Sequence, residues 1–192
     1  MYCRDQADTA QLRDTLLEAH WSFMDRYADR MIARGPTLTE DGSAATGSLH
    51  IVDLPDRAAA DTFAFDEPNF RAGVYRGVLI RRWRSELDRS VADFDGDPLR
   101  NQRFLVLGQI GADRPAHQAG RERPAIGADR PDRLIVSGSL WSDDGASWLG
   151  TASIVEVPDR AAADALVASD PGVRAGWYAS VEVSPWEVGG RR

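Results

Sequence analysis

Residues 51–83 read IVDLPDRAAADTFAFDEPNFRAGVYRGVLIRRW, and residues 154–186 read IVEVPDRAAADALVASDPGVRAGWYASVEVSPW. The two align without a gap, Pro55 and Pro158 lying 103 residues apart, and about half of the aligned positions are identical. Self-similarity at a fixed spacing marks two copies of one structural unit. The same spacing carries Gly35 onto Gly138, Asp41-Gly42 onto Asp144-Gly145, Gly47 onto Gly150 and Asp29-Arg30 onto Asp132-Arg133, so each unit reaches well upstream of the quoted stretch. A duplicated fold needs its packing residues in both copies but its chemistry in only one. Function is therefore sought where the copies differ.

Local patterns give the elements of one copy. Leu12, Leu16, His20, Phe23, Met24 and Tyr27 recur at three- and four-residue spacing and predict a helix over 9–28. A strand over 30–40, interrupted near Gly35-Pro36, leads through the turn at Asp41-Gly42 to a strand over 47–54. Pro55-Asp56-Arg57 opens a second helix, with proline and an acid in its first turn, and Asp66-Glu67-Pro68 closes it. Residues 74–83 predict a last strand ending on Trp83. With a short strand at 1–4, the unit reads strand, helix, strand, strand, helix, strand. The second copy repeats this from a strand at 104–107, except that Gly120, Pro124, Gly127 and Pro131 argue against a regular first helix.

The fold class is therefore α+β: two ferredoxin-like (βαββαβ) units, each with helices on one face of an antiparallel sheet. The bare face of each sheet must be covered, and in a tandem chain the natural cover is the other copy, sheet against sheet, as an intrachain pseudo-dimer. The expected boundaries are a first unit over 1–88, a charged linker over 89–102, a second unit over 103–188 and a tail over 189–192.

Composition narrows the chemistry. The chain has 192 residues, 43% hydrophobic and 28% charged, with a net charge of −7. The acidic balance argues against nucleic acid or an anionic membrane as the main partner, since both require a basic face, and no apolar run is long enough to span a bilayer. The N-terminal sequence lacks a signal-peptide layout, so a cytoplasmic location is expected. Cys3 is the only cysteine, which excludes an internal disulfide. All 23 basic residues are arginine, so a Schiff base and a Walker-type phosphate loop are unavailable. Only His20, His50 and His117 supply imidazole, and neither a metal site nor a cofactor is expected.

His20 has two readings from the residues alone. It is either a core histidine satisfied by one hydrogen bond or a general base, its proton affinity tuned by burial and a neighbouring carboxylate. The ordered set His20, Gly35-Pro36, Gly47-Ser48, the PDRAAA helix start, an acid before Pro68 and Pro171, Ala72-Gly73 and a closing Trp83 or Trp186 resembles the YCII-related family, small domains of the dimeric α/β barrel type. The likeness covers residues 1–83 and 104–186.

That resemblance implies chemistry at the histidine and at the acid of the Asp-Pro turn, and one member of the family is similar to a dehydrochlorinase of a hydroxylated aromatic. Carried over, the catalytic candidates are His20, Asp66 and Glu67. Glu67 holds the aligned position and Asp66 the expected residue type, so the partner of His20 is left open. Ser48, His50 and Arg34 are candidate substrate-binding residues. The position matching His20 in the second copy is Arg123, which points to a second unit degenerate as a catalyst. The expected function is a cofactor-independent enzyme moving a proton on a small cyclic or aromatic molecule, in an elimination, isomerisation or other lyase step. The rival reading is a non-catalytic small-ligand-binding or interaction module. Association of two chains is left open.

Overall fold

The computed structural model describes residues 1–111 and 124–191. Their contacts divide the chain into two compact units, one of residues 1–80 with 187–192 and the other of residues 81–186. Each unit is α+β with one antiparallel sheet.

The first unit runs β1 (Tyr2–Asp5), α1 (Ala10–Thr15), α2 (Leu17–Asp25), a 3-10 turn (Ala28–Arg30), β2 (Met31–Leu38), β3 (Ala45–Val52), α3 (Arg57–Phe65), α4 (Pro68–Arg71) and β4 (Tyr75–Leu79). Its sheet order, β2-β3-β1-β4, is that of a ferredoxin-like unit. Phe23 and Met24 of α2 pack with Phe63 of α3 against Val52 and Leu54, and Leu16 and Phe70 pack against Cys3, Val74 and Tyr75. The predicted single helix over 9–28 is in fact two, broken at Leu16. There the Thr15 hydroxyl donates to the Gln11 carbonyl at 2.9 Å, a back-bond that bends a helix.

The β2 strand is continuous through Gly35-Pro36, contrary to the expected interruption. It is the outermost strand of the assigned sheet, a position that tolerates a residue without an N–H. Residues 187–190 lie along it: Glu187 N donates to Pro36 O at 3.3 Å and Gly189 N to Arg34 O at 3.0 Å. A Cβ on Gly35 would strike the Glu187 carbonyl, which accounts for glycine there.

The second unit comprises β5 (Arg82–Ser85), β6 (Gln102–Gln109), β7 (Leu134–Trp141), β8 (Trp148–Val157), α5 (Arg160–Ser169), α6 (Pro171–Arg174) and β9 (Ser180–Pro185), with sheet order β5-β7-β8-β6-β9. Its core gathers Phe104, Val106, Ile126, Leu134, Val155, Val157 and Ala163. The strand expected over 74–83 is thus two strands. Tyr2 with Leu79 is the last β1–β4 pair, so β4 has no partner beyond it, and the chain resumes as β5 on the free edge of β7. Here Arg84 pairs with Ser139, and a Cβ on Gly138 would meet the Arg84 carbonyl, as on Gly35 it would meet that of Glu187. Each unit is finished by a segment that follows, in sequence, the last strand of the other repeat.

Two more features explain repeated residues. Asp56 and Asp159 are helix N-caps, each accepting from a backbone N–H three residues on at 2.8 Å, so the acid of PDRAAA precedes the first turn instead of lying inside it. Gly42 and Gly145 both take φ 71°, the left-handed turn that glycine adopts without strain. The stretch over 89–102 belongs to the second unit, where Glu156, 3% exposed, accepts from Asp97 N at 2.7 Å and Arg103 Nε at 2.9 Å. No helix of the described residues is long and apolar enough to cross a membrane.

Candidate active site

The first unit holds a cavity of about 510 Å³ between helices α1 and α2, strands β2 and β3, and the segment 187–190. His20, Arg13, Arg34, Ser48, His50 and Asn69 supply polar groups to its wall, and Trp21 and Met24 apolar ones.

His20 Nδ1 lies 2.6 Å from Glu67 Oε1, with the two side chains 13% and 0% exposed. The second Glu67 oxygen accepts from Phe70 N at 2.8 Å, because Glu67 is the N-cap of α4 and Pro68 its first residue. Asp66 is the C-cap of α3, while Glu67 already belongs to the next turn. At the start of that turn negative charge is favoured. Burial alone would raise the Glu67 carboxyl, but the hydrogen bond and charge of His20 and the backbone N–H groups of Asn69 and Phe70 outweigh it and hold it below its usual value. An ionised carboxylate on Nδ1 fixes the tautomer, leaving Nε2 as the basic nitrogen. Asp66 stands apart, 47% exposed and paired with Arg71 at 2.6 Å.

Ser48 and His50 both face the cavity from β3 and are buried, 1% and 2% exposed. Ser48 Oγ accepts from Arg13 Nη2 at 2.6 Å, while Arg13 Nη1 grips both oxygens of Asp5 at 3.0 and 3.1 Å. The His50 ring stands edge-on to His20 at 5.7 Å between centroids. Arg34 lines the cavity with its guanidinium already engaged, by Asp25 at 3.1 Å and by the Gly189 carbonyl at 3.2 Å. Arg191 adds Asp25, Glu18 and Ser22 contacts that tie the 187–191 segment to α2.

The family model of the YCII-related domain matches residues 1–84 and 109–187. The chain belongs to the YCII-related family. Its two YCII-related segments are the two repeats. A solved structure similar to part of the chain is 5-chloro-2-hydroxyhydroquinone dehydrochlorinase (TftG) of Burkholderia phenoliruptrix AC1100 in complex with 2,5-dihydroxybenzoquinone, at 24% identity over 43% of this chain and 89% of that one, with a TM-score of 0.41. A likeness at that level carries no argument about the site.

The second YCII-related segment shows what the first adds. Asp170 aligns with Glu67 and caps α6 in the same way, accepting from Gly172 N at 2.8 Å and Val173 N at 3.1 Å. Its other oxygen accepts from the backbone Gly127 N at 3.3 Å instead of an imidazole. Ser153 and Gly172 stand where the first segment has His50 and Asn69. Arg123 and His117 lie outside the described residues.

Sequence reasoning missed Arg13 and Asn69. Arg13 precedes His20 by seven residues, two helical turns, and that spacing could have placed both on one face. Asn69, buried, donates through Nδ2 to Tyr75 Oη at 3.4 Å and lies 3.3 Å from His20 Nδ1, and nothing in its surroundings in the sequence marks it. Among the described residues no cluster of three or more His, Cys, Asp or Glu could hold a metal.

Proposed function

We propose that the first repeat of this YCII-related protein is a cofactor-independent enzyme in which His20 Nε2 moves a proton on a small cyclic or aromatic molecule. Glu67 orients the ring and stabilises the imidazolium that forms. The observation that carries this reading is the 2.6 Å contact of Glu67 with His20, which lines the cavity. Elimination and isomerisation both begin with such a proton transfer, and both fit the residues present. The second repeat serves as scaffold. A cytoplasmic location and the sheet-against-sheet pairing of the repeats belong to the same proposal.

The test is turnover and binding measured together over a panel of small cyclic compounds by NMR. His20→Ala should abolish turnover while bound ligand still perturbs the Trp21 signals. Binding without turnover by the unaltered protein across the panel would establish the ligand-binding module instead.

A further inference from the structure

We propose that His50 is a second catalytic residue of this cavity, donating a hydrogen bond from Nε2 to a carbonyl oxygen of the substrate while His20 Nε2 takes a proton from the adjacent carbon, so that the substrate class is an enolisable carbonyl compound. This rests on the acid/base reading of His20 given above. The geometry supports it in three ways. First, the two rings share one wall with centroids 5.7 Å apart, a separation that a C–H and its neighbouring carbonyl oxygen can bridge at hydrogen-bond range of about 2.6–3.2 Å on each side. Second, His50 Nδ1 is buried with no hydrogen-bond partner, and the apolar ring of Phe63 packs on the imidazole at 5.8 Å between centroids. An orphaned N–H costs more there than a bare lone pair, so the proton belongs on Nε2, the nitrogen available to a ligand. Third, both guanidiniums in the wall are already matched by carboxylates, Arg13 by Asp5 and Arg34 by Asp25, so no uncompensated cation calls for an anionic ligand.

Burial also pushes the His50 imidazole well below its usual value, with His20, the Met1 amino group, Arg13 and Arg34 acting in the same direction. A neutral imidazole is the form that donates to a carbonyl without itself losing a proton. In the step, the C–H bond breaks and its electron pair forms the enolate C=C bond. The carbonyl π pair moves to oxygen, where the His50 N–H meets the growing charge, and the proton ends on His20 Nε2. Return of the proton to the same carbon completes exchange; in an α-hydroxy carbonyl compound, passage of the hydroxyl proton to the enolate oxygen and return of the carbon-bound proton to the former carbonyl carbon completes isomerisation.

The experiment has two arms on the full chain. Histidine 15N NMR between pH 6 and 8 should show His50 as the neutral Nε2–H tautomer; an Nδ1–H tautomer or an imidazolium overturns the assignment. In D2O, 2-hydroxycyclohexanone should lose its C2 proton signal faster with the protein than with buffer. His50→Phe should slow that exchange at least tenfold, and His50→Gln, which restores a donor, should recover part of it. Exchange that needs His20 but survives in His50→Phe overturns this inference and leaves the proposed function standing. Exchange indifferent to His20→Ala overturns the proposed function, and exchange no faster than buffer overturns the carbonyl class. Should His50→Phe fail to fold, the tautomer of the unaltered protein decides.

Discussion

Glu67 and Asp170 cap the same short turn in the two repeats, and only Glu67 also holds an imidazole. The capping duty explains why an acid stands before Pro68 and Pro171 in both copies. The side chain longer by one methylene lets Glu67 cap the turn and reach His20 together.

Glu67→Gln and Asp66→Asn should therefore behave differently. The first breaks a buried pair and should cost about 1–3 kcal/mol, together with loss of turnover. The second removes an exposed contact to Arg71 and should change stability by less than about 1 kcal/mol. Urea unfolding with a turnover assay separates them.

Acid stability should record the same carboxylate. The Glu67 carboxyl is held below its ordinary 4.5 in the folded chain, so its contribution is present above that value and disappears as pH falls through the folded value. The stability difference between the unaltered protein and Glu67→Gln should shrink as the pH is lowered below 4.5.

His50 predicts a second slope at higher pH. Its imidazole, depressed from 6.5, binds a proton in the unfolded chain before it does so in the folded one. Stability should thus fall as pH drops from 6.5, by about 1.4 kcal/mol per pH unit for the one proton. His50→Phe should flatten that part of the stability–pH curve, as chemical denaturation at several pH values would reveal.

Gly35→Ala should destabilise by about 1–3 kcal/mol, since its Cβ meets the Glu187 backbone and the segment must shift. Gly42→Ala has open space around it and should cost only the strain of its φ of 71°, about 1–2 kcal/mol. In Gly35→Ala the Gly189 amide, which donates to Arg34 O, should also exchange with deuterium faster; equal exchange rates would show that the segment is held by other contacts.

Arg34→Met tests the same segment from the side-chain end. It leaves Asp25 with Arg191 alone and the Gly189 carbonyl without its donor. Faster exchange at Gly189 with ligand affinity reduced would assign Arg34 to holding the wall. Reduced affinity with unchanged exchange would assign it to the ligand.

The repeat, the α+β class and the order of elements were legible because they rest on patterns written twice, such as PDRAAA and the Asp-Gly turns. His20 was legible because a polar ring interrupted an apolar stripe. The last strand was misread because alternation along residues 74–83 is continuous, while the partner strand ends at Tyr2; pairing is a property of two strands, and periodicity reports only one. The partner of His20 stayed open for a similar reason. Asp66 and Glu67 are adjacent in sequence, and only the bend from α3 into α4 decides which of them turns inward. The spacing of Arg13 from His20 hints at a shared face but not at its bond to Ser48, 35 residues away, and Asn69 carries no signature because its place beside His20 is a contact across 49 residues.

Residues 187–190 form one side of the chamber that His20 lines. On the ribosome, the earlier half can therefore assemble its helices and strands but must wait for the very end of the later half before that chamber is enclosed. Severing the chain between the halves would leave the first fragment with an open flank at the edge of β2.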